Sequence, residues 1–327
     1  MIIGIDAMGG DYAPKVVIEA VKGLSDIDLL LIGDKNQLIG EITESKIVHA
    51  PTSIQMDESP REALRKKDSS IAIGTQLQKE GKIDAFVGAG NTSAYIMFNS
   101  LWLRRVKGVK KPALGTFFPS KNGFTFVLDV GATVSVRPED LFQFGVMGSL
   151  TVEGITGKKK PSVALLSVGE EDVKGGTLTR ETFNLLQNSG LNFIGNIEGH
   201  QILDGISDVV VCDGMVGNAL LKFGESIVNL IQTTIKDAIK SSFKAKMGGL
   251  LLGPSLKKFF SRMSYDEYGG AVVLGTNGVT IICHGRSSPK AIRNAIYMAE
   301  KYVKSGVNKR IEQFLQAQDY ENTNKTN

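Results

Sequence analysis

The sequence predicts an α/β fold built on a largely parallel sheet. Short apolar runs alternate along the chain with segments whose apolar residues recur at helical spacing, an order typical of βαβ units. The apolar runs end in turns that contain glycine. Glycine itself is frequent, with 37 of 327 residues, whereas its average share is roughly 7%.

The apolar runs predict the strands in chain order. They cover residues 2–5, 29–32, 46–49, 85–87, 124–129, 163–168, 209–212 and 279–282. Helices are expected to begin near Pro14 and Pro289, because proline suits the first turn of a helix. Since ligands of open α/β sheets bind outside the carboxyl ends of strands, we expect the glycine turns to line a ligand site.

Composition excludes several classes of protein. Hydrophobic residues make up 42% of the chain and charged residues 22%, unlike a disordered protein. The apolar runs are shorter than the about 20 residues that span a membrane. No basic segment precedes the first apolar run, so we expect a cytoplasmic protein without a signal peptide. Cys212 and Cys283 are too few for a disulfide scaffold or a cysteine-based zinc site.

The net charge of +4 is a mild excess of cations. It is compatible with an acidic partner or an anionic membrane surface and requires neither. We expect no nucleic-acid partner, no metal and no cofactor.

The chain is long enough for about two domains, but it contains no low-complexity linker, so we expect a single α/β domain over residues 1–327. A helical hairpin is expected to protrude at about 225–262, with its tip at the glycine-rich segment 247–254. The polar tail 321–327 is expected to fray.

The turn after the first predicted strand contains Asp6, Gly9, Gly10 and Asp11. Paired glycines let backbone amides approach a ligand, and the two aspartates could orient it. An Asx turn that stiffens the backbone explains the same residues without a ligand.

A second glycine turn, at 88–93, opens a predicted helix whose unpaired amides would attract an anion. Asn91 or Thr92 serving only as an N-cap is the alternative. Ser93 stands where a dinucleotide-binding fingerprint has its third glycine, so the match to that fingerprint is weak.

Further turns combine charged and polar residues. Ser69 and Ser70 follow three cations, which suits a phosphate or simply a solvated turn. Lys174 lies among glycines and either reaches a ligand or is exposed. Asp213 and Asn218 belong to another turn at a helix start.

The turn 283–288 carries His284, Arg286 and Ser287. His284 and Arg286 form the best acid–base and anion-binding pair in the chain, although a lone histidine is more often structural. The chain has no Gly-x-Ser-x-Gly elbow and no His-Glu-x-x-His motif, so covalent serine hydrolysis and zinc catalysis lack support.

Taken together, these turns resemble one family, the acyl-acyl-carrier-protein:phosphate acyltransferases of bacterial phospholipid synthesis. The matching segments run in order along the chain: 6–11, 67–70, 89–92, 128–132, 169–171, 174–175, 192–196, 198–199, 213–214, 216–218, 268–271 and 284–287. The departures are Ser93 in place of a usual glycine, Met215 in place of phenylalanine and Thr133 in place of asparagine.

The resemblance implies a Rossmann-like three-layer α/β/α sandwich of the isocitrate dehydrogenase and phosphate acetyltransferase group, assembled as a homodimer. It also implies the reaction, in which a fatty acyl group passes from acyl carrier protein to inorganic phosphate and gives an acyl phosphate for phospholipid synthesis. Contact with a glycerol-3-phosphate acyltransferase of the membrane is a further expectation.

Under this resemblance we expect His284, Lys174 and Asn218 to be catalytic. The residues expected to bind phosphate and the acyl thioester are Asp6, Gly9, Gly10, Asp11, Ser69, Ser70, Asn91, Thr92, Asp213, Arg286 and Ser287. Because the thioester is activated and phosphate is itself a nucleophile, the protein has only to position them and to stabilise the oxyanion.

The hairpin gains a docking role under the same resemblance. Leu250, Leu251 and Leu252 are followed by the cations Lys257, Lys258 and Arg262. Apolar residues flanked by cations suit a membrane surface with acidic lipids, or an acidic carrier protein. A dimer contact or a small core beneath the hairpin is the alternative.

Two other functions remain open from the residues alone. One is a nucleotide-dependent dehydrogenase of the related fold, which would need a complete nucleotide fingerprint. The other is a non-catalytic scaffold that recruits acyl carrier protein to a membrane, which would leave the polar turns without a purpose.

Overall fold

Eleven strands form one sheet in the computed structural model, which describes residues 1–171, 174–263, 267 and 269–325. The strands are β1 Ile2–Asp6, β2 Asp28–Gly33, β3 Ile47–His49, β4 Ala85–Gly88, β5 Ala113–Ser120, β6 Gly123–Leu128, β7 Ser162–Leu166, β8 Asn192–Ile197, β9 Val209–Val211, β10 Ala271–Leu274 and β11 Val279–Ile282. The eight strands predicted from the apolar runs are confirmed to within two residues. The predictions missed β5, β8 and β10.

The helices are α1 Lys15–Val21, α2 Lys35–Leu38, α3 Pro60–Ala63, α4 Ser70–Lys79, α5 Thr92–Phe98, α6 Pro138–Thr156, α7 Thr177–Gln187, α8 Gln201–Asp204, α9 Gly214–Lys240, α10 Phe243–Met263, α11 Pro289–Ser305 and α12 Val307–Lys325. The predicted helix starts near Pro14 and Pro289 are confirmed. Of the tail 321–327 that was expected to fray, residues 321–325 continue α12, and the last two residues lie outside the described residues.

The order across the sheet is β3-β2-β1-β4-β11-β10-β5-β6-β9-β7-β8. Seven pairings are parallel, but β10 runs antiparallel to both β11 and β5, and β5 runs antiparallel to β6. After these three reversals, β6, β7 and β9 point opposite to β1, β4 and β11. The glycine turns therefore lie at two edges. We call the edge where β1, β4 and β11 end the first edge, and the edge where β6, β7 and β9 end the second edge.

Apolar side chains on both faces of the sheet form the core. In β4, Phe86 belongs to one buried cluster, whereas its neighbours Ala85 and Val87 belong to the other, because successive strand residues point to opposite faces. One cluster includes residues of α1, α6, α11 and α12, and the other includes residues of α4 and α5. The result is a three-layer α/β/α sandwich.

The hairpin consists of α9 and α10, and the chain turns between them at residues 241–242. The predicted tip at 247–254 is wrong, because this segment lies inside α10, which continues through Pro254. Gly249 is needed for helix packing, since a β-carbon there would lie 2.5 Å from the Ile239 side chain. Glycine at position 249 therefore marks a close approach of two helices rather than a turn.

A buried carboxylate organises the second edge below this hairpin. Asp129 follows β6 and is fully buried. Its oxygens accept hydrogen bonds from the backbone N–H groups of Leu114, Gly131, Ala132 and Thr133 at 2.8–3.0 Å, and from the Thr133 hydroxyl at 2.7 Å. Several donors offset the cost of burying a carboxylate, so the turn 129–133 is held in one conformation.

Helix α9 begins directly on that turn. Asp213 caps it by accepting from the N–H groups of Met215 and Val216. A β-carbon on Gly214 would lie 2.3 Å from the Thr133 carbonyl oxygen, and one on Gly217 would lie 1.9 Å from the Asp129 carbonyl oxygen. Only glycine permits this contact, so the first turn of α9 is the root of the hairpin.

We expect Gly217→Ala to destabilise the protein by about 1–3 kcal/mol, because the added methyl group meets backbone that a turn of buried hydrogen bonds holds in place. The measurement is the urea midpoint of unfolding followed by circular dichroism. Gly224→Ala is the matched control on the same helix, since a β-carbon there would meet nothing within 4 Å. It should raise stability by up to about 1 kcal/mol. Equal effects of the two substitutions would contradict this account of the root.

Candidate active site

The turns after β1 and β11 contact each other at the first edge. The N–H of Asp11 donates to the Gly285 carbonyl oxygen at 2.8 Å, and the Asp11 carboxylate accepts from Arg286 Nε at 3.2 Å. Gly10 has φ of +96°, and a β-carbon there would lie 2.9 Å from the same carbonyl oxygen. The paired glycines therefore allow two backbone turns to approach each other.

Asp6 lies beneath these turns rather than at their surface. Its side chain is buried, and it accepts from the Tyr95 hydroxyl at 2.7 Å and from the Met8 N–H at 3.0 Å. Burial raises the pKa of the Asp6 carboxyl, although the hydrogen bonds oppose the shift. Burial raises the pKa of Tyr95 well above its ordinary value, and the nearby Asp6 carboxylate raises it further. The Met8 contact is the Asx turn that the sequence offered as the alternative to a ligand contact.

Asn91 is the N-cap of α5, as the alternative interpretation of its turn predicted. Its side-chain oxygen accepts from the Ala94 N–H at 3.0 Å. Its amide nitrogen donates to the carbonyl oxygens of Gln55, Met56 and Glu58 at 2.8–3.3 Å. The side chain is thus used within the protein, and it joins the loop 55–58 to the first edge.

Ser69 and Ser70 lie at the start of α4, and both are buried. The Ser69 hydroxyl caps the helix by accepting from the Ala72 N–H, and Ser70 lies beside Asp6. Thr92 is half-buried at the start of α5, and Ser93 is exposed. Ser287 is buried in the turn after β11, so that turn presents mainly His284 and Arg286.

Helix α9 brings a carboxylate to His284. Oε2 of Glu225 lies 4.0 Å from His284 Nε2 and 3.0 Å from Lys222 Nζ. On the other side of the ring, the Arg286 N–H donates to His284 Nδ1 at 3.1 Å. Glu225 and Lys222 were not among the predicted site residues, since they belong to no turn. The one available signal was their spacing from Asn218, because positions 218, 222 and 225 share a helix face.

The remaining predicted site residues lie at the second edge. Asp213 caps α9, and Asn218 faces the turn 129–133, where a β-carbon on Gly131 would lie 3.5 Å from it. Lys174 is exposed, with its Nζ 3.7 Å from the Glu171 carboxylate. Asn218 and Glu225 are seven positions apart on α9, about 10 Å along the helix axis. This helix therefore connects the two edges.

The predicted docking residues lie on α10. Leu250, Leu251 and Leu252 are 73%, 80% and 58% exposed, and Lys257 is exposed. The side chains of Lys258 and Arg262 lie outside the described part of the chain. Among the helices that the structure describes, none is long and apolar enough to cross a membrane.

The raised pKa of Asp6 predicts a pH dependence of stability. The neutral carboxyl is favoured in the fold, so its contribution is fully present below the ordinary pKa of 3.8 and is lost as pH rises through the higher folded value. Asp6→Asn cannot ionise. Its stability relative to the wild type should therefore increase from about pH 4 to about pH 7, by about 1.4 kcal/mol per unit of pKa shift crossed.

Urea unfolding of both proteins at the two pH values measures this difference. Asp26→Asn, at an exposed carboxyl, is the control that should show little change. If the stability of Asp6→Asn relative to the wild type falls over this pH range, the fold lowers the pKa of Asp6 instead of raising it.

Comparison with known proteins places the chain among acyltransferases. A family model described as "Fatty acid synthesis protein" matches residues 1–310. The phosphate acyltransferase of Pelotomaculum thermopropionicum is 45% identical over 315 residues, which cover 93% of this chain and 92% of that protein. The phosphate acyltransferase of Heliobacterium modesticaldum is 46% identical over 316 residues, which cover 93% and 94%.

Solved structures share the fold at low sequence identity. The EutD phosphotransacetylase from Staphylococcus aureus has a TM-score of 0.61 at 16% identity, and the match covers 93% of this chain and 94% of that one. A branched-chain phosphotransacylase from Enterococcus faecalis V583 has a TM-score of 0.60 at 15% identity, covering 93% and 99%. These two confirm the Rossmann-like α/β sandwich, whereas the relatives by sequence show the family. The chain belongs to the phosphate acyltransferase family of fatty acid and phospholipid synthesis, and it is an acyltransferase.

Proposed function

We propose that this enzyme transfers a fatty acyl group from the thioester of acyl carrier protein to inorganic phosphate. The product is an acyl phosphate for phospholipid synthesis. The observation that carries the proposal is the arrangement of His284 and Arg286 in one turn, against the glycine turn after β1, in a chain of the phosphate acyltransferase family. That arrangement suits an anion held beside a carbonyl group.

The proposed reaction is an acyl transfer without a protein nucleophile. An oxygen of hydrogenphosphate forms a bond to the carbonyl carbon, and the bond between this carbon and sulfur breaks. The electron pair leaves with sulfur, and the proton of hydrogenphosphate ends on the thiolate. The leaving thiol has a pKa of about 8.5 by analogy with cysteine, so the thioester is already activated.

Arg286 is assigned to phosphate. Its side chain is 72% exposed, and its Nε donates to Asp11. A guanidinium has five N–H donors in a planar fork, so further donors can engage a phosphate by paired hydrogen bonds. The helix start at Thr92 is assigned to the same anion. His284 is assigned to the proton or to the oxyanion of the tetrahedral intermediate.

Lys174 and Asn218 are assigned to the acyl thioester. Both belong to the second edge, and Asn218 lies on the face of α9 that continues toward Glu225 and His284. A thioester that lies along this helix would place its carbonyl group at the first edge, beside the phosphate at Arg286. Fixed polar donors there would stabilise the oxyanion.

The reaction is tested with acyl-acyl carrier protein and inorganic phosphate. Wild-type enzyme should form acyl phosphate and free carrier thiol. His284→Ala should lower kcat by about 10²–10³, the usual cost of removing an oxyanion donor, and Arg286→Ala should raise the KM for phosphate. The control is Lys79→Ala, which removes an exposed cation at the C-terminal end of α4 and should leave kcat and the KM for phosphate unchanged.

Two results would contradict these assignments. Absence of acyl phosphate under conditions that preserve it would overturn the proposed reaction. Unchanged turnover and phosphate dependence in both His284→Ala and Arg286→Ala would leave the reaction standing but remove these residues from it.

We further propose that the enzyme is a homodimer whose contact includes the outer face of α9. Met215, Phe223 and Leu230 are 73%, 68% and 61% exposed, and their spacing places them on one helix face. An apolar face of this length on one helix is typical of a protein contact. The homodimer also agrees with the resemblance drawn from the sequence.

The α10 segment is assigned to the membrane surface on its cytoplasmic side. Exposed Leu250–Leu252 beside exposed Lys244, Lys246 and Lys257 would insert between acidic headgroups while the cations contact phosphates. Such docking would bring the acyl phosphate to a glycerol-3-phosphate acyltransferase of the membrane.

Flotation with vesicles that contain acidic lipid tests this docking. Leu251→Glu should lose most of the bound fraction, because it puts a charge into the apolar contact. Leu203→Glu is the matched control, at a leucine of α8 that is 54% exposed. Equal flotation of wild type and Leu251→Glu, or none by either, would contradict membrane docking.

A further inference from the structure

A strongly basic loop leads into β5. Residues 104–111, which we call the basic loop, contain five lysine and arginine residues and no acidic residue. Four of these cations, Arg104, Arg105, Lys107 and Lys110, are exposed. Because β5 runs antiparallel to β6, the loop that leads into β5 lies at the edge where β6 ends. The basic loop therefore shares the second edge with the root of the hairpin.

The backbone of the basic loop is held in place by the core. Val106 and Val109 are buried, so two apolar side chains anchor the loop between its cations. Gln143 of α6 accepts a hydrogen bond from the Lys110 N–H and donates one to the Gly108 carbonyl oxygen, both at 2.8 Å. A loop that is already ordered loses little entropy when a partner binds.

Arg104 has an uncommon backbone conformation. Its φ is 63° and its ψ is 173°, a combination that is found almost only at glycine. Asn277 holds this conformation, because its N–H donates to the Arg104 carbonyl oxygen at 3.0 Å and its side-chain amide donates to the carbonyl oxygens of Leu103 and Arg105. An arginine at a position that suits glycine points to a use for its side chain.

The charges of the basic loop are mostly uncompensated. Lys111 is the paired member, since its Nζ lies 3.1 Å from Oδ2 of the buried Asp140. Among the residues that the structure describes, no carboxylate oxygen lies within 4.0 Å of a side-chain nitrogen of the four exposed cations. Neighbouring charges of one sign produce a positive potential, which attracts a partner with an acidic surface.

The basic loop and Asn218 contact the same segment of the second edge. Lys111 Nζ donates to the Ser135 carbonyl oxygen at 2.7 Å. Four residues earlier, a β-carbon on Gly131 would lie 3.5 Å from the Asn218 side chain. Between these two contacts, the Val134 side chain is 91% exposed. An exposed apolar side chain next to the cations is typical of a protein contact rather than of a solvated charged loop.

We propose that the basic loop and Val134 form the docking surface for the acidic carrier protein that delivers the acyl thioester. This proposal rests on the proposed function, which assigns the thioester to Lys174 and Asn218 of the same edge. Opposite charges across a contact orient the partner and speed its association. A membrane surface suits α10 better, because that helix carries the large exposed apolar side chains that insertion requires.

Reversal of two charges tests the docking surface during turnover. Lys107→Glu combined with Lys110→Glu should raise the KM for acyl-acyl carrier protein about tenfold or more, because electrostatic steering changes association rates by about 10–10³. The KM for phosphate should stay at the wild-type value. Lys79→Glu combined with Lys301→Glu is the control, since it makes the same charge change at exposed positions of α4 and α11. Equal KM values for acyl-acyl carrier protein in the two double variants would overturn the proposal.

Binding of fluorescently labelled acyl carrier protein, followed by anisotropy, gives a readout that does not depend on turnover. The Kd of the wild type should rise with salt, because ions screen exposed charges. The loop variant should bind about tenfold more weakly than the control variant at low salt and should depend less on salt. Equal Kd values would overturn the proposal. If the wild type forms no acyl phosphate, the proposed function fails, and the binding measurement still decides whether the basic loop docks the carrier protein.

Flotation with vesicles that contain acidic lipid distinguishes a carrier protein from a lipid surface. The variant with Lys107→Glu and Lys110→Glu should float to the same extent as the wild type. If this variant loses the vesicle-bound fraction and binds the carrier protein as tightly as the control variant, the basic loop contacts lipid and the proposal is wrong.

Discussion

The contact between the first turn of α9 and the turn 129–133 determines where the hairpin and the site can be. Asp129 holds that turn with buried hydrogen bonds, and Gly214 and Gly217 let α9 begin against its carbonyl groups. From this root, α9 rises about 1.5 Å per residue and reaches His284 with Glu225. A side chain at either glycine would displace the helix, and the displacement would reach both the imidazole and the leucines of α10.

This dependence follows from the reversals in the middle of the sheet. If all strands were parallel, the polar turns would gather at one edge and would need no connecting helix. Because β10 and β5 reverse the direction, the turns after β6, β7 and β9 lie opposite to those after β1, β4 and β11. Helix α9 is the element that begins at the second edge and passes the first, so its polar face can serve both.

The strands were predictable because burial on both faces leaves continuous apolar runs. The direction of β6 was not predictable, because it depends on the pairing between β5 and β10. These two strands are about 160 positions apart in sequence, so their pairing leaves no local signal. The hairpin tip was misplaced for a related reason. Gly248 and Gly249 look like a turn, but the contact of Gly249 with Ile239 is made across two helices, and tertiary packing overrides the local preference of glycine.

Within the site, the sequence identified positions better than roles. Asp6 and Asn91 have the chemistry of ligand-binding side chains, but the fold uses the first to stiffen a turn and the second to cap α5 and hold the loop 55–58. These two side chains therefore act on a ligand indirectly, because they fix backbone amides and the turns next to Arg286 and His284. An activated thioester and a nucleophilic phosphate gain most from fixed donors that need no reorganisation during the reaction. In this site most of the polar side chains hold the turns rigid, which supplies the fixed donors that the reaction needs.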